Sequence, residues 1–591
     1  MYNTMIILLI FLAVTHISTA CTTVGITPGA SFAGRAMASQ SNDGGATSDT
    51  RLFRVPATNH SLNSTRPVYA WTGGSYPRYV GSDRGSKNYM QEPGQKVSVP
   101  IGKIPQVPHT YAYFDGAFGL MNEHGLGLAE STCTSRVHGA LPRPQGGALW
   151  YTDELSRMAL ERTTNARDAI QLMGMLAYND GFYGEDNVEG TGESFIVVDK
   201  IEVWVFHVSP SDAQGTSAVW AAQRVPDGHV TVVPNIFVIR TMNLSDVDNY
   251  MGSPNIHDVA LKNGWWDNTT EFDFTKAYSG GEYNHRYYSG RRWWGAMKLL
   301  VPEADFNDTY DNLRDDAPYP FSLSIKGSGS KRKNGGTGKK INVTDVQNVM
   351  RDFYEGTKYD MTVGLAAGSF GNPNRYDGEL ERPGQPGIKG AWERSISIYR
   401  TDYSHVIEIH PTLPPSIGAT LWFGPVMAAT TCYVPLLAGQ ETLLASYSRG
   451  HKGGPVNRES AMWSFRYVQQ LANIRWDRMM VDITELQQMM HDKGVEDVQN
   501  MASKLPLSKR NGTTLAYIAN GHAADVVKGW WALADFLMSK YADGNMYTDS
   551  TKYGPGHSKP AGYPIWWLKA VGYSNGPPPP LSDILMESGR N

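Results

Sequence analysis

Met5 to Val14 reads MIILLIFLAV, an uninterrupted apolar run. It is too short to cross a bilayer as a helix. Polar residues follow, and small residues at Ser18 and Ala20 suit cleavage after Ala20. No Lys or Arg precedes the run, yet its position, length and flank predict a signal peptide over 1–20. No other stretch is long and apolar enough to span a membrane. Beyond it, strand-like and helix-like patterns alternate. Ser194 to Val198 and Glu202 to Val208 are β-branched and aromatic, with a short connection at Asp199-Lys200, and predict an antiparallel hairpin. Ser217–Arg224 and His229–Val233 flank Pro226-Asp227-Gly228, a turn by its residue chemistry. Asn165 is a helix N-cap with Asp168 in the first turn. Ile170, Met173 and Ala177 share the apolar face, and Gly181 closes the helix. Met462–Met480 and Leu515–Tyr541 carry long apolar faces that predict further helices.

Hairpins with paired helices indicate an α+β fold. No sharp linker divides the chain. Residues 21–455 are therefore read as one catalytic unit, 456–575 as a helical extension, and the proline-rich 576–591 as a mobile tail. Of 591 residues, 41% are hydrophobic and 19% charged, which excludes a disordered protein. The 61 Gly and 34 Pro follow no period, which excludes a collagen-like fibre. A net charge of −4 gives no field that would gather nucleic acid. Lys331, Arg332, Lys333, Lys339 and Lys340 lie in a glycine-rich stretch, 327–340, with nothing aromatic between them; it reads as a solvated insertion. His124, His207 and His405 lack metal-ligand spacing, and no P-loop, dinucleotide fingerprint or repeat occurs.

The 3 cysteines are Cys21, Cys133 and Cys432. Cleavage after Ala20 makes Cys21 the first residue. A free α-amine has a pKa of about 8, so a neutral fraction is present near pH 7 and can serve as base for the adjacent thiol. Three readings stand at this position. Cys21 is the nucleophile of an N-terminal-nucleophile hydrolase, or the acylated cysteine of a bacterial-type lipoprotein, or a small residue that merely follows the leader. Ser18 sits where lipoprotein sites favour Leu. Sequons at Asn59, Asn63, Asn243, Asn268, Asn307, Asn342 and Asn511 agree with a secretory route.

The residues that follow, CTTVGITPGASFAGRAMASQSNDGG, resemble the opening of the dipeptidase A family of cysteine peptidases. These N-terminal-nucleophile hydrolases begin Cys-Thr-Thr or Cys-Thr-Ser and reach an early Asp, here Asp43. Met121-Asn122-Glu123-His124-Gly125-Leu126 is similar to the family's N-E-x-G-L segment. Ala222-Gln223-Arg224-Val225-Pro226-Asp227-Gly228 with Pro234-Asn235 resembles its A-Q-R-V-P-D…A-N signature. Arg351 to Asp360 and Leu421 to Pro425 fit as well. The resemblance runs from about residue 21 to 500.

It implies a four-layer αββα sandwich and a cysteine-type hydrolase of short peptides that needs no cofactor. Cys21 would be nucleophile and its own amine the base. Asp43 would hold the amine toward the thiol. Asn235 would donate its side-chain amide to the oxyanion. Asn122, Arg291 and Arg292 would fall on the substrate side. Related hydrolases carry Arg shortly before the early Asp, where this chain has Gln40. With Cys21 free, Cys133 and Cys432 are the remaining pair, and an oxidising route favours a bridge between them. Two rivals remain: an amidase of N-acyl amides, of the penicillin and bile-salt acylase type, and a non-catalytic secreted glycoprotein. The expected location is outside the cell or in a lysosomal or vacuolar lumen. The partner is a short peptide, with no nucleic acid and no membrane span. The oligomeric state stays open, a homo-oligomer included.

Overall fold

A computed structural model describes residues 21–185, 190–281, 286–302, 304, 320–325, 339–376, 392–547 and 557–577. Residues 1–20, where a signal peptide is expected, Asn307, the basic stretch 327–338 and residues 578–591 lie outside the described residues.

Two antiparallel sheets form the centre. The 7-stranded sheet runs Leu323–Ser324, His229–Val233, Thr22–Ile26, Ala36–Asp43, Thr401–Ile409, Ala419–Pro425, Val434–Leu437. The 8-stranded sheet runs Tyr250–Gly252, Ala218–Arg224, Val203–Pro210, Gly192–Val198, Gly127–Cys133, Gly119–Asn122, Tyr113–Asp115, Phe53–Val55. Thr22–Ile26 and Ala36–Asp43 of the first sheet pack against Gly127–Cys133, Gly192–Val198 and Val203–Pro210 of the second. Helices Thr152–Arg162 and Ala166–Asp180 cover the 8-stranded sheet. Arg291–Leu300, Val343–Met350, Ala461–Ala472, Trp476–Ser503 and Gly512–Lys540 pack on the 7-stranded one. The mixed α+β content expected from the patterns is present.

Local signals translate directly. Asn165 Oδ1 accepts the Asp168 N–H at 2.9 Å, and Gly181 ends that helix at φ 84°. Gly192–Val198 and Val203–Pro210 pair in register from Glu193↔Val208 to Val198↔Val203. The turn at Pro226–Gly228 does more than its residues suggest: the strands on either side of it belong to different sheets, so it carries the chain between them. Past residue 455 three helices, Ala461–Ala472, Trp476–Ser503 and Gly512–Lys540, precede a short strand pair, Asn545–Tyr547 with Ser558–Pro560, and Phe465, Ile483 and Trp530 join the same core as the central strands.

Alternation along the first strand sets the site. Cys21, Thr23 and Gly25 project to one side. A Cβ on Gly25 would lie 2.9 Å from Val203 Cγ1 and 3.1 Å from Ile196 Cγ2, so this side faces the other sheet at a distance only Gly tolerates. Opposite, Gly119–Asn122 and Gly127–Cys133 pair only at Met121↔Gly127. Beyond that pair the strands diverge, and Gln40 Oε1 takes the Glu130 backbone N–H at 3.2 Å.

Candidate active site

Cys21 is fully buried at the head of the strand Thr22–Ile26. Its Sγ lies 3.2 Å from Glu130 Oε2 and 3.8 Å from Asn42 Oδ1. Gln40 stands opposite Thr23 in the neighbouring strand. Its Nε2 donates to Glu130 Oε2 at 2.9 Å and reaches Sγ at 3.5 Å. The Asp43 backbone N–H also donates to the sulfur. Burial pushes the thiol well above its usual pKa, and the Glu130 and Asp43 carboxylates add to this. The Asp43 N–H and the Gln40 amide pull the other way. The thiol is therefore neutral, and attack requires a base at the moment of reaction. Among the described residues no histidine hydrogen-bonds the sulfur. His405, opposite Gln40 in the next strand, has its pKa pushed down to about 3 by burial.

Arg292 binds the backbone around the nucleophile. A π turn, Arg286–Gly290, leads into its helix. Nη1 donates to the Cys21 carbonyl at 2.7 Å and to Thr22 Oγ1 at 3.0 Å; Nη2 donates to Asn235 Oδ1 at 2.8 Å. Burial, with Arg394 close by, lowers the Arg292 pKa to about 10, so it stays charged at neutral pH. Asn235 follows Pro234 at φ 62°, and its Nδ2 donates to the Thr132 carbonyl at 2.5 Å. One of its amide protons is thus already used. Asp43 is anchored by Arg394, and its Oδ1 accepts from Thr401 Oγ1 at 2.5 Å.

A pair of acids completes the site. Glu130 Oε1 accepts from Thr132 Oγ1 at 2.9 Å. Its carboxyl also meets that of Glu193, whose Oε1 accepts from Tyr151 O–H at 3.0 Å. Both side chains are fully buried. Burial pushes Glu130 up to about 7, and burial followed by Glu130 raises Glu193 well above the carboxyl range. Two carboxyls in contact must share a proton.

Cys21, Asp43 and Asn235 are thus brought together as expected, and Arg292 joins them, but not on the substrate side: its guanidinium is spent on the Cys21, Pro234 and Tyr288 carbonyls, Thr22 Oγ1 and Asn235 Oδ1. Three further expectations are corrected. Asn122 is not a substrate ligand: its Nδ2 donates to the Leu160 and Thr163 carbonyls, and its Oδ1 accepts the His124 and Leu126 N–H groups. Its polar capacity is spent tying a turn to the helix Thr152–Arg162. Arg291 points away, because successive helix residues diverge by about 100°; it pairs with Glu393 at 3.0 Å and lies over Tyr359. Cys133 and Cys432 are free, buried thiols. Cys133 ends a strand of the 8-stranded sheet, 3.1 Å from Ser194 Oγ, whereas Cys432 precedes the edge strand Val434–Leu437 of the other sheet. The exposed positions expected of the sequons hold for Asn59, Asn63, Asn243, Asn268, Asn342 and Asn511.

Glu130, Glu193 and Arg394 escaped the sequence reading. A lone acid inside the strand-like GLAESTC was the available signal for Glu130. Gln40 stood out only as a departure; here it bridges nucleophile and acid. Among the described residues no group of three or more His, Cys, Asp or Glu is arranged to hold a metal ion. No described helix is long and apolar enough to cross a membrane.

The model of peptidase family C69 matches residues 117–489. The match includes Glu130, Glu193, Asn235, Arg292 and Arg394 and starts after Cys21 and Asp43. A probable dipeptidase of Salmonella dublin is 26% identical over 359 residues, 60% of this chain and 70% of that protein. A probable dipeptidase of Latilactobacillus sakei is 25% identical over 414 residues, 68% of this chain and 71% of its own. A probable dipeptidase A of Streptococcus pyogenes is 23% identical over 402 residues, 64% and 73% respectively.

Proposed function

The chain belongs to peptidase family C69, and from that premise we propose that it is a cysteine-type dipeptidase whose nucleophile is Cys21, freed as the mature N-terminus. One observation carries this reading: Gln40, Glu130 and the Asp43 N–H converge on the Cys21 sulfur while Arg292 grips its carbonyl, and no histidine base is within reach among the described residues. A thiol whose pKa is raised by burial, with no histidine beside it among the described residues, fits activation by its own α-amine.

The cycle follows. The amine takes the thiol proton as Sγ bonds to the peptide carbonyl carbon. The oxyanion is met by donors around the sulfur, the Asp43 N–H, the Gln40 amide and the remaining Asn235 amide proton. The C–N bond then breaks, and the ammonium returns its proton to the leaving amine. A water molecule attacks the thioester, the same amine takes one of its protons, and the sulfur leaves and recovers that proton. Arg292 and Asn235 fix the Cys21 backbone so that amine and thiol keep one geometry. Asp43, anchored by Arg394 and Thr401, accepts from the amine. The two facing sheets with helices outside each support the four-layer αββα sandwich of N-terminal-nucleophile hydrolases. The apolar leader and the exposed sequons support a secretory destination, outside the cell or in a lysosomal or vacuolar lumen.

Cys21→Ala and Cys21→Ser should fold normally, by circular dichroism, and lose dipeptide hydrolysis. A chain with one extra residue before Cys21 should stay inactive until trimmed. Turnover by Cys21→Ala would end the reading.

A further inference from the structure

Most acids in this interior have a cationic partner. Glu154 meets Arg66 and Arg84, Asp115 meets Arg157 at 2.9 Å, Asp49 meets Arg51 at 2.7 Å, and Asp43 meets Arg394. Among the described residues Glu130 and Glu193 have none. Among those residues their hydrogen bonds involve the neutral groups of Gln40, Thr132, Cys21 and Tyr151, and each other, and the charges that act on them are further acids, Asp43 and Glu185. Glu193 Oε2 is buried and meets no donor N–H or O–H. A buried acid without a cation is costly unless it is protonated or a ligand brings the positive charge.

Geometry identifies that ligand. In a dipeptide the free α-nitrogen is two bonds from the scissile carbonyl carbon, about 2.5 Å away. In a near-attack pose that carbon is about 3–3.5 Å from the sulfur. The α-ammonium must therefore fall within about 6 Å of Sγ. Glu130 Oε2 sits 3.2 Å from the same atom. Asp43, the other acid close to the sulfur, already has Arg394 and Thr401. The Glu130 oxygen also accepts from Gln40 Nε2, and turning the thiol proton toward the Cys21 amine opens its second lone pair to the ammonium.

Building on the dipeptidase reading, we propose that Glu130 is the specificity-determining residue of this site: it takes the free α-ammonium of the peptide's first residue, with Glu193 holding the shared proton, and so confines the enzyme to peptides with an unblocked N-terminus. A blocked peptide offers no charge, and the acid pair must then stay protonated or remain unpaired. Sites built around a substrate's polar group reject analogues lacking it by factors of up to about 10⁴–10⁵.

The test compares kcat/KM for a free dipeptide and its N-acetyl form, using mature enzyme. The wild type should favour the free form by at least about 100-fold. Glu130→Gln should shrink that ratio by a similar factor, chiefly through a higher KM for the free peptide, and Glu130→Asp should restore part of it. A wild-type ratio near one overturns the assignment. So does an equal loss on both peptides in Glu130→Gln, which would tie Glu130 to the nucleophile instead. If enzyme with a free N-terminal Cys21 cleaves neither peptide, the dipeptidase reading falls and this assignment falls with it. Should Glu130→Gln not fold, wild-type inhibition by a non-cleavable dipeptide isostere, with and without its amine, decides: tighter binding of the amine form supports the assignment, and equal binding overturns it.

Discussion

Two buried acidic clusters, one between the 8-stranded sheet and the helix Thr152–Arg162 and one on the sheet itself, are treated in opposite ways. Near the helix Thr152–Arg162, Glu154, Asp153 and Asp115 interlock with Arg66, Arg84 and Arg157. Glu154 is held ionised, its pKa down at about 2: the three arginines outweigh the burial that would raise it. Elsewhere on the sheet Glu130 and Glu193 meet no arginine among the described residues, and burial drives both toward the protonated form. A second carboxyl contact, Asp352 with Glu355, also lacks a cation, but Glu355 is exposed and solvated. The first cluster brings its own cations, although burial still raises Asp153 to about 6. The second is completed by something that arrives, and it lies beside the only cysteine poised next to acids.

The largest expected effect separates the clusters by function. Cys21→Ala should cost about 10⁴–10⁶ in kcat, the scale for losing a nucleophile, with little change in Tm. Arg157→Ala should do the reverse, destabilising by about 3–5 kcal/mol because it leaves buried carboxylates uncompensated; thermal melts and assays of the surviving folded fraction check both. Next, Asn235→Ala should lower kcat by about 10²–10³ with a smaller change in KM. A purely raised KM would move Asn235 to the substrate cleft.

The smallest effect is one of pH. Glu130 faces Cys21 and Asp43 from the adjacent strands, Glu193 from its own sheet and Tyr151 behind Glu193, with Arg292 on the far side of Cys21. Its folded pKa is about 7, above the unfolded value of about 4.3. The folded state therefore binds the extra proton, and stability falls as pH rises through that window. Between pH 5 and pH 8 the wild type should lose Tm relative to Glu130→Gln. An identical pH dependence in the two proteins would mean the acid is not held protonated.

What the sequence revealed was local. The Asn165 cap, the Gly181 stop and the hairpin Gly192–Pro210 depend on neighbours in sequence, and each formed as its residues indicate. The Cys21 to Asp43 opening was readable for the same reason, since two adjacent strands carry it. The misreadings concern partners far apart in the chain. Asn122 looked like part of the site, but its amide is claimed by carbonyls at residues 160 and 163. Cys133 and Cys432 looked like a pair because they remain once Cys21 is free, yet Cys133 ends a strand of one sheet and Cys432 precedes the edge strand of the other. Glu130 was invisible for the converse reason: nothing around it in sequence shows that its carboxyl ends beside a thiol 109 residues earlier.

The central claim is that Cys21 works as a free N-terminal residue. Mass analysis of active enzyme after titration with a thiol alkylator tests it most directly. The account predicts an N-terminal peptide that starts at Cys21, with alkylation of that thiol tracking the loss of activity, because all three cysteines are buried and only Cys21 carries an α-amine to deprotonate its sulfur. Full activity in a chain that keeps residues ahead of Cys21, or inactivation that tracks Cys133 or Cys432, would contradict it.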